Sequence, residues 1–307
     1  MAEPTTKCGY IAILGSPNVG KSTLLNQFIG LKVSIVSPKV QTTRARILGI
    51  CIQDNSQLIF VDTPGIHKPH HLLGEKLVRN AKSAIGGVDL ILLIFDSCHP
   101  PGRGDEYIRD LLILNKSKFI VVLNKWDLLN NDQKDLRFNQ YREIFQDEIT
   151  CFQNVSALSG EGSSQLINVI EKNLPNGPLL YPENIICDQP LQIILSELVR
   201  EQVLLKTREE VPHSVAVKIE KIEEIEKKNQ TKNLTAILAT IIVEKKSQKG
   251  ILIGKKGGML KTIGQSARIN MKKLIDGPIY LELFVKVIPN WRKRESKLVE
   301  FGYEDDK

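Results

Sequence analysis

The chain has 307 residues, enough for two domains, and its 42% hydrophobic and 25% charged residues are ordinary for a soluble globular protein. Its net charge of +7 and its pI near 9.0 favour an anionic partner. The longest apolar run is too short to span a bilayer, the N-terminus lacks an apolar signal segment, and five scattered cysteines without a CxxC pair give no basis for a zinc site or a disulfide framework.

The first half of the chain alternates short apolar runs with longer amphipathic segments. The predicted strands are 10–15, 46–53, 58–62, 89–96, 118–124 and 151–155, and the predicted helices are 21–30, 75–85, 104–115, 133–148 and 163–173. Residues 54–57 predict a tight turn between the second and third strands. This alternation predicts a doubly wound, mostly parallel α/β sheet, whose ligands bind at the carboxyl ends of the strands.

The pattern changes after a segment rich in proline, residues 174–190. Beyond it the sequence predicts a helix (190–206), two strands (213–226 and 234–244), a basic glycine-rich turn with a helix (250–275) and a strand (279–288). This order is typical of an α+β domain. We therefore predict a first domain over 1–176, a linker over 177–190 and a second domain over 191–307.

A phosphate-binding loop, "GSPNVGKST", follows the first predicted strand and precedes the first predicted helix. Its glycines allow close approach of the backbone, and the amide groups at the helix N-terminus favour an anion. Lys21 would contact the β- and γ-phosphates, and Ser22 would hold Mg²⁺. The candidate nucleotide-binding residues here are Gly15, Ser16, Pro17, Asn18, Val19, Gly20, Lys21, Ser22 and Thr23.

A second motif, "DTPG", ends the third predicted strand. Asp62 would hold Mg²⁺ through water, and the backbone N–H of Gly65 would meet a γ-phosphate. The candidate nucleotide-binding residues of this segment are Asp62, Thr63, Pro64, Gly65 and Ile66.

A third motif, "NKWD", ends the fifth predicted strand and selects the base through Asn124, Lys125 and Asp127. Guanine presents N1–H and its 2-amino group to one carboxylate, whereas adenine presents an unmatched edge. Such a site rejects the wrong base by several kcal/mol, roughly 10⁴-fold or more. The backbone of Ser156 and Ala157, in "NVSALSG", would meet guanine O6.

Together these motifs resemble the small GTPase superfamily. The resemblance implies that the loop "KVQTTRARI" contacts Mg²⁺ and the γ-phosphate through Thr43, with Thr42 as the alternative, and acts as a switch. It gives the catalytic roles to Lys21, Thr43 and Gly65 and the Mg²⁺ ligands to Ser22, Thr43 and Asp62.

Ile66 stands where many of these GTPases carry a glutamine that orients the attacking water. Isolated hydrolysis should therefore be slow, with the water positioned by backbone, by a cation or by a partner. In related GTPases with a "PNxGKS" loop, an asparagine at the position of Asn18 holds K⁺. This resemblance implies K⁺ beside GTP, GDP and Mg²⁺.

In the second domain, "GKKG" at 254–257 opens a predicted helix, as in a KH module that clamps about four nucleotides. Residues 245–273 contain nine Lys or Arg and no Asp or Glu, which favours a nucleic-acid backbone as ligand. Residues 251–253 either line a groove for unstacked bases or pack in the core. The candidate RNA-binding residues are Ile253, Gly254, Lys255, Lys256, Gly257 and Lys261.

Over residues 9–305 the order and spacing of these motifs resemble the Era family, bacterial GTPases of the Era/TrmE type. The resemblance implies an α/β P-loop GTPase domain followed by a type II KH domain, hydrolysis of GTP to GDP and phosphate, and binding of the 3′ end of small-subunit ribosomal RNA. It further implies a role in ribosome biogenesis at the small subunit, and a cytoplasmic monomer with peripheral contact to the cell membrane.

Two other functions stay open from the sequence. One is a membrane-associated signalling GTPase whose basic domain contacts anionic lipid or other RNA. The other is an RNA-modifying enzyme with a GTPase timer, which is disfavoured because Cys187, the only cysteine of the C-terminal half, lies in the predicted linker.

Overall fold

A computed structural model describes residues 6–37, 39, 47–53, 56–62, 87–114, 117–145, 151–226 and 232–303. The chain divides into two compact units. Among the described residues, the first unit contains 6–34 and those between 47 and 188, and the second contains 35–37, 39 and 189–303.

A mixed sheet forms the centre of the first unit. Its strands are β1 (Lys7–Leu14), β2 (Ile47–Gln53), β3 (Ser56–Asp62), β4 (Leu90–Asp96), β5 (Phe119–Asn124) and β6 (Phe152–Asn154). The order is β2-β3-β1-β4-β5-β6, and every pair is parallel except β2 with β3. The sheet is therefore the mostly parallel, doubly wound one that the sequence predicts.

Helices surround this sheet. They are α1 (Lys21–Ile29), α2 (Arg103–Leu114), α3 (Asn131–Phe145) and α4 (Ser163–Asn173), with a 3₁₀ turn at Trp126–Leu128. The strand β4 shows why its sequence is continuously apolar: Leu90, Leu92 and Ile94 pack in one core cluster, while the alternate residues pack in a second cluster on the other face. The predicted helix 75–85 lies outside the described residues.

The predicted turn at 54–57 is wrong for Ser56 and Gln57, which are the first residues of β3. Gln57 is fully buried, and its side-chain oxygen Oε1 accepts hydrogen bonds from Leu180 N at 2.8 Å and Tyr181 N at 3.0 Å. These hydrogen bonds offset the cost of burying the polar side chain in a strand. The sequence shows that Gln57 is polar but does not show these partners.

Residues 177–188, which fall in the predicted linker, belong to the first unit. Ile50 N of β2 donates to Ile186 O at 2.9 Å, and Leu48 N donates to the Asp188 carboxylate at 2.9 Å. The segment therefore covers backbone groups that the edge strand β2 would otherwise expose.

The second unit contains a three-stranded sheet and helices. Its elements are α5 (Leu191–Lys206), α6 (Val211–Ser214), β7 (Ala216–Ile225), β8 (Leu234–Val243), α7 (Lys246–Ile253), α8 (Gly258–Met271), β9 (Ile279–Val287) and α9 (Glu295–Glu300), with 3₁₀ turns at Lys255–Gly257 and Trp291–Lys293. β8 pairs antiparallel with β7 and parallel with β9. In the parts of the chain that the structure describes, no helix is both long and apolar enough to cross a bilayer.

In this unit one sequence prediction needs correction, and one choice that the sequence left open is decided for Leu252. The predicted strand 213–226 begins only at Ala216, because Val211–Ser214 is a short helix with Pro212 in its first turn, where a missing N–H costs nothing. Residues 251–253 end α7, and Leu252 is fully buried in the core with Ile263 of α8. Leu252 is therefore a core residue and does not line a groove for bases.

Candidate nucleotide site and RNA interface

The phosphate loop joins the end of β1 to the start of α1 in a conformation that only glycine permits at two positions. Gly15 has φ +150°, and a Cβ there would lie 2.3 Å from the Ile94 carbonyl oxygen. Gly20 has φ +102°, and its Cβ would lie 2.1 Å from Asn124 Nδ2. Larger side chains at either glycine would displace β4 or β5 residues, so the loop geometry depends on both.

Lys21 points back into the loop that it follows. Its side chain is buried, and Nζ donates to the carbonyl oxygens of Gly15 at 3.0 Å and Ser16 at 2.9 Å. Burial lowers the pKa of Lys21 to about 8, although the Asp62 charge opposes this shift. The ammonium group is thus held where it can donate to phosphate oxygens in the loop.

We expect the affinity for GDP without Mg²⁺ to fall as the pH rises above 8. The pKa of Lys21 is about 8 in the protein alone, and bound phosphates raise it because they favour the charged amine. Binding at higher pH must therefore take up a proton, and the affinity should drop about tenfold per pH unit.

Calorimetry at pH 9 in buffers of different ionisation enthalpy measures that uptake. The Lys21→Ala variant serves as the control, because it reports the titration of the guanine base alone. Equal proton uptake in both proteins would contradict the assignment.

The predicted Mg²⁺ ligands meet at the carboxyl end of β3. Ser22 Oγ donates to Asp62 Oδ2 at 2.8 Å, and Asp62 is fully buried. A hydroxyl and a carboxylate in contact supply the hard oxygen donors that Mg²⁺ requires, so these residues fit the ion. The remaining predicted ligand, Thr43, and residues 63–66 lie outside the described residues.

Ser34, which was not among the predicted site residues, also contacts this carboxylate. Its Oγ donates to Asp62 Oδ2 at 2.8 Å. Asn26 of α1 holds the segment in place, since its Oδ1 accepts from Val33 N and Ser34 N at 3.0 Å and its Nδ2 donates to Ser34 O at 2.7 Å. No sequence motif marks Ser34 or the Asn26 side chain that holds it.

Asn124 links the phosphate loop to the loop after β6. Its Nδ2 donates to Val19 O at 2.7 Å, and its Oδ1 accepts from Ala157 N at 2.9 Å. Ser156 and Ala157 are both buried. The Ala157 N–H that the sequence assigns to guanine O6 is therefore bonded to Asn124 in this structure.

Lys125 and Asp127 follow at the end of β5. Lys125 has φ 64°, and its Nζ lies 2.5 Å from Asp96 Oδ2. Burial opposes ionisation of Asp96, but the hydrogen bond and charge of Lys125 hold its pKa below the usual value. Asp127 is exposed in the 3₁₀ turn and thus accessible to a ligand. No sequence motif marks Asp96, although it ends β4 at the same edge of the sheet.

The "GKKG" turn connects α7 to α8 in the second unit. Gly254 has φ +69°, and a Cβ there would lie 2.7 Å from Met259 Cβ, so this position requires glycine. Lys255 and Lys256 are exposed, and Lys256 has φ 51°. Both lysines are therefore available to a phosphate backbone.

Two concave surfaces flank this turn. A groove of about 360 Å³ runs between α8 and β9, and its lining includes Lys261, Arg268, Tyr280 and Glu282. A cleft of about 500 Å³ is lined by residues that include Lys206 of α5 and Lys255. Of the residues that line these two surfaces, the sequence predicted Gly254, Lys255, Gly257 and Lys261. Arg268 was detectable, because it lies seven residues after Lys261 and so on the same helix face.

Known proteins similar to this chain match it along nearly its whole length. The family described as "50S ribosome-binding GTPase" matches residues 10–125, and the KH domain family matches residues 210–292. GTPase Era of Crocosphaera subtropica is 51% identical over 297 residues, 97% of this chain and 92% of the relative. GTPase Era of Nostoc sp. is 51% identical over 304 residues, 98% of this chain and 91% of the relative.

The chain belongs to the Era family of GTPases.

Solved Era structures agree with the fold. Era in complex with MgGDPNP and nucleotides 1506–1542 of 16S ribosomal RNA matches with a TM-score of 0.91 and 42% identity, covering 97% of this chain and 99% of that chain. An Aquifex aeolicus Era variant bound to GDP·AlF4⁻ matches with a TM-score of 0.89 and 41% identity over the same fractions. The predicted P-loop GTPase domain followed by a KH domain is therefore confirmed, and this Era-family chain is a GTPase.

Proposed function

We propose that this Era-family chain is a slowly hydrolysing GTP switch that binds the 3′ end of small-subunit ribosomal RNA and acts in assembly of the small ribosomal subunit. One observation carries the proposal: an Era that matches 97% of this chain was crystallised with both MgGDPNP and a 16S ribosomal RNA segment. The residues of this chain offer a place for each, in the phosphate loop and at the "GKKG" turn.

The small subunit is preferred over the large one although a matching family is described as "50S ribosome-binding GTPase". That family matches only residues 10–125, which lie in the GTPase part. The Era structure with 16S ribosomal RNA matches both units, including the one that carries the basic turn. Because RNA binding is assigned to the second unit, the match that includes this unit favours small-subunit RNA as the binding partner.

In the nucleotide site, we assign Lys21 to the β- and γ-phosphates and Ser22, Asp62 and Thr43 to Mg²⁺. Bound Mg²⁺ would neutralise charge on the phosphate oxygens. Asn124 braces the site, and Asp127 would accept hydrogen bonds from guanine. Gly65 completes the proposed catalytic set through its backbone N–H.

We expect hydrolysis to be roughly tenfold faster in K⁺ than in Na⁺ at equal ionic strength, because a monovalent cation can replace the charge of an arginine finger. Asn18 lies exposed in the phosphate loop at φ 65°, so Asn18→Gly keeps the backbone conformation while removing the amide. Steady-state phosphate release measures the effect. The variant should lose the difference between the salts, and equal rates in the unmodified protein would contradict a K⁺ site.

Binding of a 3′-terminal small-subunit RNA oligonucleotide tests the proposed function. The full chain with a GTP analogue and Mg²⁺ should bind the native sequence more tightly than a scrambled oligonucleotide of equal composition. Equal affinities for the two would contradict the small-subunit assignment while leaving the GTPase activity untouched.

We further infer a cytoplasmic monomer that contacts membranes peripherally through the basic residues 245–273, which also face RNA. Single-stranded RNA should then displace the protein from vesicles containing phosphatidylglycerol. Failure to bind these vesicles would contradict the membrane contact. A dimer mass measured by light scattering would contradict the monomeric state.

A further inference from the structure

Ser34 is a buried polar residue that lies outside every nucleotide-binding motif of the sequence. Its side chain is 1% exposed, and its Oγ donates to Asp62 Oδ2 at 2.8 Å. The same carboxylate oxygen accepts from Ser22 Oγ at 2.8 Å. Asp62 is fully buried, and a buried carboxylate costs free energy unless donors or a cation face it. The two hydroxyls therefore offset part of that cost.

The two hydroxyls have different relations to a bound nucleotide. Ser22 lies in the first turn of α1, directly after the phosphate loop, and is itself assigned to Mg²⁺. Ser34 follows the C-terminal end of α1 and contacts the carboxylate from a buried position. It is thus placed to act on Mg²⁺ through Asp62, as hydrogen-bond donors behind a metal-ligating carboxylate do.

Three further hydrogen bonds fix the backbone that carries the Ser34 hydroxyl. The Asn26 side chain accepts from Val33 N and Ser34 N and donates to Ser34 O. Asn26 lies four residues after Ser22, so the two side chains share one face of α1. One helix therefore positions both hydroxyl donors, and an orientation that is fixed in advance need not be ordered when the ion binds.

Resting on the proposed Mg²⁺ ligands, we propose that Ser34 is a positioning residue for Mg²⁺, whose hydroxyl holds the Asp62 carboxylate in the orientation that suits the ion. Mg²⁺ and the nucleotide bind to the same site, and such coupling is reciprocal. The factor by which Mg²⁺ tightens nucleotide binding therefore reports how well the protein holds the ion.

Calorimetry on the full chain measures this factor as the ratio of GDPNP affinities in excess Mg²⁺ and in EDTA. Ser34→Ala removes a single oxygen atom from the side chain. The ratio should fall about tenfold in this variant, as expected when a hydrogen bond behind a metal ligand is lost. The affinity in EDTA should stay unchanged, because the hydroxyl acts only through a carboxylate that then holds no ion.

Ser56→Ala is the matched control. Ser56 also has a buried side chain whose Oγ donates to a carboxylate, that of Glu171, but it begins β3 whereas Asp62 ends it. This variant should keep the full ratio. Asn26→Ala should lower the ratio by releasing the backbone of Ser34. Adding Ser34→Ala to Asn26→Ala should lower the ratio little further, because both changes remove the same interaction.

An unchanged or increased ratio in Ser34→Ala would overturn the role of Ser34 while the Mg²⁺ ligands stand. Equal losses of affinity with and without Mg²⁺, or the same fall of the ratio in Ser56→Ala, would show a merely structural effect and would also overturn it. Fully additive losses in the double variant would contradict an action of Asn26 through Ser34. If Mg²⁺ did not tighten GDPNP binding by the unmodified protein, the proposed Mg²⁺ ligands would fail together with the role of Ser34.

Discussion

Replacing Asp127 with asparagine should shift the nucleotide preference from guanine to xanthine. The exposed carboxylate of Asp127 is proposed to accept two hydrogen bonds from guanine. Asparagine loses one of these and places a donor against another, so GTP affinity should fall by about 3–6 kcal/mol, or roughly 10²- to 10⁴-fold. Xanthine carries a carbonyl at position 2, to which the asparagine amide can donate.

Competition between GTP and XTP for the variant measures this shift directly. Asp132→Asn is a matched control, because Asp132 is exposed in the first turn of α3 and undergoes the same change of charge. The control should bind GTP like the unmodified protein. If Asp127→Asn still preferred GTP to XTP, the base would be read by other residues.

Reversing both lysines of the "GKKG" turn should abolish most RNA binding. Lys255→Asp with Lys256→Asp places two carboxylates against the phosphate backbone in place of two charge-assisted contacts, which predicts a loss of about 100-fold or more. The plot of log K against log[salt] should flatten by roughly two units or less. Both residues are exposed and aspartate tolerates the left-handed conformation of Lys256, so the stability should change by no more than about 0.5 kcal/mol.

A matched double reversal separates the turn from the general basic charge. Lys272 and Lys273 are exposed at the end of the same basic stretch, so Lys272→Asp with Lys273→Asp changes the net charge equally. This control should lose much less affinity, and both variants should bind GTP normally. Equal losses of RNA affinity in the two variants would indicate that residues 245–273 are only a solvated basic surface and that the turn has no specific role.

The sequence predicted the sheet and the places of its motifs well because those features have local causes. The run Leu90–Phe95 is apolar at every position since both faces of β4 are buried, and that pattern is readable without a structure. The phosphate loop is also recognisable from the sequence. Its glycines, Gly15 and Gly20, are required because a Cβ at either position would collide with residues of other strands.

What the sequence did not reveal depends on contacts between distant residues. Ser34 lies 28 residues from the Asp62 carboxylate to which it donates. The polarity of Gln57 favours a turn, and only the structure shows its hydrogen-bond partners in the segment near Tyr181. Tyr280 and Glu282 alternate along β9 with Leu281 and Leu283, and only the fold shows that the leucines are the residues that pack toward α8.

We propose above that this GTPase recognises the 3′ end of small-subunit ribosomal RNA through its second unit. Crosslinking RNA to the full chain in cells, followed by sequencing of the bound fragments, tests it most directly. The fragments should concentrate at the 3′ end of the small-subunit RNA and should be lost in the double variant Lys255→Asp, Lys256→Asp. Fragments concentrated in large-subunit RNA, or unchanged by that double variant, would contradict it.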